Sequence, residues 1–324
     1  MKAIIRERYG PPDVLRLAEV PQPLPKAGEV LVRVRAASVN AVDWHLMRGA
    51  PLLARMGGRG LRQPKDPRLG VDLAGTVEAV GPGVTRFQPG DDVLGRGLGT
   101  FAERACARED AIVAKPPALS FAAAAAVPQA ALIALQALRD KGRLRAGQQV
   151  VIQGASGGVG SFAVQIARAL GAEVTAVCSP PNLETAHSIG ADHVIDYTQA
   201  DFTRNGQRYD LIVAVNGYHP LFAYRRALRP GGAYVLVGAS TARLARALLQ
   251  LALLGPVLSR MGGRTMGLLV AKPPQRQDLE LINAWLADGK VVPVVERNYP
   301  LSDAAAAIGY VEGGHARGKI VITI

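Results

Sequence analysis

Four glycines, Gly154, Gly157, Gly158 and Gly160, stand within seven positions in the segment GASGGVG, between the apolar run VVIQ and the periodic apolar segment SFAVQIARAL. Glycine inside regular structure costs stability because it has the most backbone freedom to lose. Its concentration at a strand-to-helix turn therefore needs a reason. A glycine-rich turn lets a ligand come close to the backbone, and the first amides of the following helix are unpaired and carry a partial positive charge. That arrangement binds phosphate. In the dinucleotide fingerprint G-x-G-x-x-G the first glycine makes the turn, the second admits the pyrophosphate and the third packs helix on strand. Here the aligned residues are Ala155, Gly157 and Gly160, with Gly154 one place early, so the strict pattern is broken while its placement is kept. Ser156, Gly157, Gly158, Val159 and Gly160 are the candidate diphosphate contacts.

The next strand-like run, EVTAVC, ends at Cys178 and Ser179. An acid at this point, about 20 residues past the glycines, would bond the ribose 2′-hydroxyl of NAD. No acid follows until Glu184, so a 2′-phosphate meets no repulsion, and Ser179, Asn182 and Tyr197 are candidate donors to it. NADP(H) is the favoured cofactor, with no Arg or Lys after Ser179 to supply a charge-assisted pair.

These groups need elements to hold them. Residues 1–125 contain short β-like runs, EVLVRVRAASV, VDLAGTVEAVG, DDVLG and TFAERACA, separated by Pro- and Gly-rich breaks, which reads as an all-β module with one short helix starting near Asn40. The stretch FAAAAAVPQAALIALQALRDKG is helical in composition, with Pro128 near a helix start. Residues 126–265 then alternate strand-like and helix-like segments, a strand ending near Gln153 and a helix starting near Gly160 among them, which builds a parallel sheet buried on both faces. Residues 266–324 return with the helices DLELINAWLADG and DAAAAIGYVEGG and the strands VVPVVERNYP and KIVITI, and are placed back on the first module.

A chain of 324 residues with 49% hydrophobic and 20% charged content is long enough for two soluble domains. Two cysteines, Cys106 and Cys178, exclude a disulfide framework and point to a reducing compartment. The N-terminus lacks the apolar core of a signal peptide, and a cytoplasmic location is expected. The balance of 38 basic against 26 acidic residues gives +12. The basic residues occur along the whole chain without an aromatic-basic cluster, so a solvated, Arg-rich surface is expected and no nucleic-acid partner. Residues 247–258, ALLQLALLGPVL, are uncharged, too short to span a bilayer and interrupted by Gly255 and Pro256. They are expected to be a buried helix, a subunit contact or a pocket wall, with interfacial membrane contact the lesser reading.

Taken together, the motifs AASVNAVDWHLMRG, LGVDLAGTVEAVGPGV, FQPGDDVLG, GASGGVG, GADHVIDY and HARGKIVITI resemble a medium-chain dehydrogenase/reductase of the zinc-independent quinone oxidoreductase branch over nearly the whole chain. The resemblance implies an α/β fold: a GroES-like β-rich catalytic domain (1–125, completed by 266–324) and a Rossmann doubly wound parallel-sheet domain (126–265). It implies an NADPH-dependent oxidoreductase acting on quinones or α,β-unsaturated carbonyls, and a homodimer through edge strands. Zinc members have a Cys where Asn40 stands and a His where Val71 stands, so no metal is expected. By the same resemblance Asn40 lies by the nicotinamide and His45 near the substrate, where it can donate a proton to a developing enolate. Asp43 is either catalytic or a helix cap. Gly217, Gly238, Ser240 and Lys319 join the cofactor-binding set. Departures are Ala131, Ile133, Pro181 and Ala214, where the family commonly has glycine, threonine, a basic residue and an acid. A non-catalytic NADPH sensor and a zinc-free alcohol dehydrogenase-like enzyme are the alternatives.

Overall fold

The computed structural model describes residues 1–56, 59–260, 263–314 and 316–324; His315, which opens the last of the motifs above, lies outside the described residues. The chain forms two compact units: residues 1–130, 274–288 and 293–324 make the first, and residues 131–273 and 289–292 the second. The breaks thus fall at 130/131 and 273/274, where the sequence suggested 125/126 and 265/266. Residues 289–292 belong to the second unit because Gln165 grips Val292 on both sides, Val292 N donating to Oε1 at 2.7 Å and Nε2 donating to Val292 O at 3.0 Å.

Along the chain, β1 (Lys2–Ile5) pairs antiparallel with β2 (Arg16–Glu19), and β3 (Glu29–Val39) runs into α1 (Ala41–Arg48). There follow β4 (Asp72–Val80), β5 (Asp92–Arg96), β6 (Arg104–Arg108), β7 (Ile112–Ala114) and α2 (Phe121–Ala125). Pro128 occupies the first position of α3 (Pro128–Leu135), where its missing N–H has no intrahelical partner to lose. The second unit continues with β8 (Gln149–Gln153), α4 (Gly158–Ala169), β9 (Glu173–Cys178), α5 (Leu183–Ser188) and β10 (His193–Asp196). Its other half is β11 (Tyr209–Ala214), α6 (Leu221–Ala227), β12 (Leu228–Leu236), α7 (Thr241–Arg260) and β13 (Thr265–Leu268). The chain closes with α8 (Arg276–Ala287), β14 (Val295–Pro300), α9 (Ala304–Glu312) and β15 (Lys319–Thr323).

In the first unit the sheet order is β14-β15-β3-β4-β5-β7, with β6 also on β3. Val30, Val32 and Val34 of β3 point into a core that includes Leu73, Val77, Val93, Phe101, Ile112 and Ile320, while Arg33 and Arg35 stay exposed, the alternation of a sheet with one wet face. In the second unit six parallel strands run in the order β10-β9-β8-β11-β12-β13. The chain leaves β8 in one direction and comes back to its other side at β11. The carboxyl ends of β8 and β11 therefore bracket a topological switch point, the place where open α/β sheets bind ligands.

One expectation fails. The 247–258 segment is not interrupted at Gly255-Pro256: α7 continues through Pro256 to Arg260. Pro256 and Ala252, whose carbonyl loses its partner, both lie on the water-facing side, and Leu251, Leu254 and Leu258 hold the two halves of the helix on one core. Nor is the helix buried all round, since Leu249, Leu253 and Val257 are 60%, 65% and 53% exposed.

Candidate functional site

At the switch point the glycines divide their work. Gly154 takes φ +83°, a left-handed turn conformation that a side chain would strain, and its amide and that of Ala155 both donate to Val177 O at 3.0 and 3.2 Å. The turn thus belongs to Gly154 and not to the aligned Ala155. Gly160 is the packing residue: a Cβ there would lie 2.0 Å from Gly154 O and 2.8 Å from Ala155 Cα. Gly157 is different. It caps α4 with φ −74°, and an added Cβ would meet only Gly154 O, at 3.6 Å. Nothing inside the chain requires glycine at position 157, so the open space beside it is available to an outside group.

The helix begins at Gly158, two residues before the expected start, and its ladder opens with Ser161 N donating to Gly157 O at 2.9 Å. The amides of Gly158, Val159 and Gly160 precede that bond and stay free of the ladder, at the positive end of the helix dipole. Ser156 to Val159 are partly exposed. Free amides at the positive end of a helix, beside open space, suit a phosphate group.

At the end of β9 the Tyr197 amide donates to Cys178 O at 3.2 Å, which brings Tyr197 beside Ser179. Asn182 is buried and donates Nδ2 to Ser179 Oγ at 2.8 Å; it orients Ser179 and is not itself an outward donor. Tyr197 is exposed, its ring centroid 6.0 Å from that of Tyr218. Gly217 donates its amide to Gly238 O at 2.9 Å, and a Cβ on either glycine would come within 3.0 Å of Leu236 Cδ1 or Val215 O. A side chain at either position would make the neighbours at the strand ends shift. Ser240 lends its carbonyl to the amides of Arg243 and Leu244 at the start of α7. Sequence reasoning missed Gln153 and Tyr224. The Tyr224 hydroxyl donates to Gln153 Oε1 at 2.7 Å and accepts from the amides of Tyr218 and His219, so it sets the loop after β11; a glutamine closing an apolar strand was the available signal.

In the first unit, register builds a second polar cluster. Ile320 pairs with Val39, so their neighbours Lys319 and Asn40 emerge side by side, and Asp72 opens β4 next to them. Lys319 is 3% exposed; its Nζ donates to Asn40 Oδ1 at 2.6 Å and to Val39 O at 3.4 Å, 3.9 Å from Asp72 Oδ2. Its ammonium is turned inward, toward the side chains of Asn40 and Asp72. Asn40 spends both Nδ2 hydrogens, on Asp72 Oδ2 at 2.9 Å and Ser38 O at 3.2 Å, and keeps one lone pair of Oδ1 free. Toward a ligand Asn40 can only accept. Asp72, absent from the sequence-based set, also accepts from Ser38 Oγ at 2.8 Å and from the Gln129 amide at 3.0 Å. Burial raises Asp72 and lowers Lys319, each opposed by the other's charge. Three hydrogen bonds to Asp72, all from donors, favour the carboxylate and hence the ion pair.

Asp43 is fully buried on the inner side of α1, and its Oδ2 accepts the Asn40 amide at 2.7 Å, so it caps the start of the helix. Burial pushes its carboxyl up to about 7, with the Asn40 amide opposing the shift. A carboxyl raised in the folded state holds its proton where the unfolded chain has released it. Its contribution to stability therefore falls as pH rises from about 4 to 7. Asp43→Asn, which keeps the acceptor, should remove this component: thermal melts of the two proteins should converge at low pH, and the variant should be the more stable at pH 8. His45 Nδ1 lies 2.7 Å from Ala50 O and so carries the hydrogen, leaving Nε2 as the ring's outward atom; the ring sits 3.6 Å from that of Trp44. Among the described residues no group of three or more His, Cys, Asp or Glu side chains is placed to hold a metal ion.

The alcohol dehydrogenase GroES-like domain family matches residues 26–117, and the zinc-binding dehydrogenase family matches residues 189–322. A chloroplastic quinone-oxidoreductase homolog of Spinacia oleracea is 34% identical over 99% of this chain and 98% of its own length. A trans-enoyl reductase of Aspergillus terreus is 33% identical over 91% of this chain and 86% of its own. Among solved structures, the quinone oxidoreductase of Coxiella burnetii superposes with a TM-score of 0.86 at 29% identity, covering 100% of this chain and 99% of that one.

Proposed function

We propose, for a chain that belongs to the medium-chain dehydrogenase/reductase superfamily in its quinone oxidoreductase-like branch, the zinc-independent reduction of quinones or α,β-unsaturated carbonyls with NADPH. The chain is an NAD(P)-dependent oxidoreductase by this membership. The observation that carries the cofactor reading is the open space beside Gly157, in front of the free amides of Gly158, Val159 and Gly160. Those amides hold the diphosphate. Ser179, oriented by Asn182, and the exposed Tyr197 hydroxyl donate to the 2′-phosphate, with Pro181 supplying no charge. Bound NADPH supplies a hydride to an electron-poor carbon, so the protein needs only to hold the acceptor and deliver a proton. His45, as an imidazolium, offers Nε2–H for that purpose while Nδ1 stays on Ala50 O. Asn40 offers one oxygen lone pair to a donor on the nicotinamide side.

Zinc does not fit the residues present. Where the resemblance puts the two metal ligands stand the amide of Asn40 and the aliphatic Val71, and the Lys319 ammonium already donates to Asn40 Oδ1 at 2.6 Å. A cation there would meet a like charge and too few donors. Relatives named for both substrate classes match the chain, so the assay must cover both. The absorbance of reduced NADPH should fall when benzoquinones, naphthoquinones or enals are added to the protein. No oxidation with any of them, at saturating NADPH, would refute the reading.

A further inference from the structure

The net charge of this protein is concentrated, although its basic residues occur throughout. Residues 211–277 hold nine Lys and Arg and no Asp or Glu, which leaves +3 for the rest of a chain whose total is +12. This acid-free stretch contains α6 and α7. The outward face of α7 runs Ala245, Arg246, Leu249, Ala252, Leu253, Pro256 and Val257, all exposed at helical spacing. From Leu249 to Val257 it offers water no polar side chain. Phe222 of α6, which packs beside α7, is 59% exposed. A soluble protein seldom leaves so continuous an apolar stripe open without a use for it.

Arginines surround the stripe. Arg243 and Arg246 are exposed on its N-terminal turns. Near the loop before α6, Asp201 lies 3.5 Å from His219 and 3.6 Å from Arg204, and Arg226 Nε donates to Thr203 O at 3.1 Å. At the other end of α6, Arg264 donates to Leu228 O at 3.2 Å. The helix is about 30 Å long at 1.5 Å per residue, and no helix among the described residues is long and apolar enough to cross a membrane.

We infer that the α6–α7 face docks on an anionic lipid surface, with Leu249, Leu253, Val257 and Phe222 entering the headgroup boundary and the arginines meeting lipid phosphates. Two arguments select this occupant. A second copy seated on the same face would bring two surfaces of net positive charge together, and like charges in contact repel. An anionic bilayer matches both the apolar stripe and the basic rim, as interfacial helices do. Lipid-soluble quinones and enones would then meet the protein where they partition, a consequence that rests on the function proposed above.

The test is sedimentation of the full chain with vesicles of phosphatidylcholine alone and of phosphatidylcholine mixed with phosphatidylglycerol, without cofactor or substrate. The protein should pellet with the mixed vesicles at low salt and stay in solution with the neutral ones. Leu249→Asp/Leu253→Asp, both on the exposed face and so compatible with the fold, should reduce binding at least about tenfold. Arg243→Glu and Arg246→Glu should each reduce it about fivefold. Leu253→Trp should be quenched by lipids brominated on the acyl chain. Absence of binding to the anionic vesicles, binding unchanged in the double Leu variant, or an unquenched tryptophan would overturn the inference. So would an oligomer that the double variant converts to monomer, because the face would then belong to a second copy. NADPH oxidation is read separately in vesicle-free buffer, so failure of either result leaves the other standing.

Discussion

Gly157→Asp should weaken NADPH binding by about 100-fold or more while leaving the melting temperature close to that of the parent, and Gly160→Ala should do the reverse. The two glycines are three residues apart and have opposite surroundings. At position 157 the backbone is extended and an added Cβ meets a single atom at 3.6 Å, so a side chain is tolerated by the fold. The same side chain projects into the space that the diphosphate needs. A carboxylate placed about 4 Å from a phosphate charge costs about 4 kcal/mol at an effective dielectric of 20, and each 1.4 kcal/mol is a factor of ten. At position 160 the added methyl lands 2.0 Å from a backbone carbonyl oxygen, and helix and strand must separate to admit it. Overpacking of this kind costs about 1–3 kcal/mol. Calorimetric titration with NADPH together with a thermal scan separates the two effects. Equal loss of affinity and stability in both variants would mean that the cradle is only a packing turn.

That division of labour was half legible in the sequence. GASGGVG between an apolar strand and a periodic helix announces the turn, but the sequence aligned Ala155 with the turn position, and only the φ of Gly154 shows which residue makes the turn. Local pattern is a good guide where the cause is local: β3 spans the eleven residues EVLVRVRAASV as their alternation suggests, and the Gly-rich turn follows a strand ending at Gln153. It fails where the cause is distant. Asn40 and Lys319 were both assigned to the cofactor, yet they spend their polar atoms on each other across 279 positions, because the pairing of Ile320 with Val39 sets them side by side. Asp72 escaped notice for the same reason: an acid at the start of a strand looks solvent-facing until the register of two neighbours encloses it. The break expected at Pro256 was a propensity argument, and packing of Leu251, Leu254 and Leu258 outweighed it.

Lys319→Met should destabilise the protein by about 3–5 kcal/mol, and Lys319→Met/Asp72→Asn should recover most of the loss. Removing one partner of a buried pair leaves the other charge without compensation, which is the costly case, whereas removing both leaves polar groups that can still bond. Asp72 would retain Ser38 Oγ, the Asn40 amide and the Gln129 amide, but not the ammonium 3.9 Å away. The sign of the pH dependence follows. Without Lys319 the folded-state value of Asp72, already raised by burial, rises further above that of the unfolded chain. The native state then holds a proton that the unfolded state releases, so the deficit of the single variant grows as pH rises above the unfolded value and shrinks as pH falls toward it. Urea unfolding at pH 5 and pH 8 should therefore show the smaller penalty at the lower pH, and the double variant should show little difference between the two. A penalty equal at both pH values would mean that Asp72 is neutral in the parent and that the cluster is held by hydrogen bonds alone.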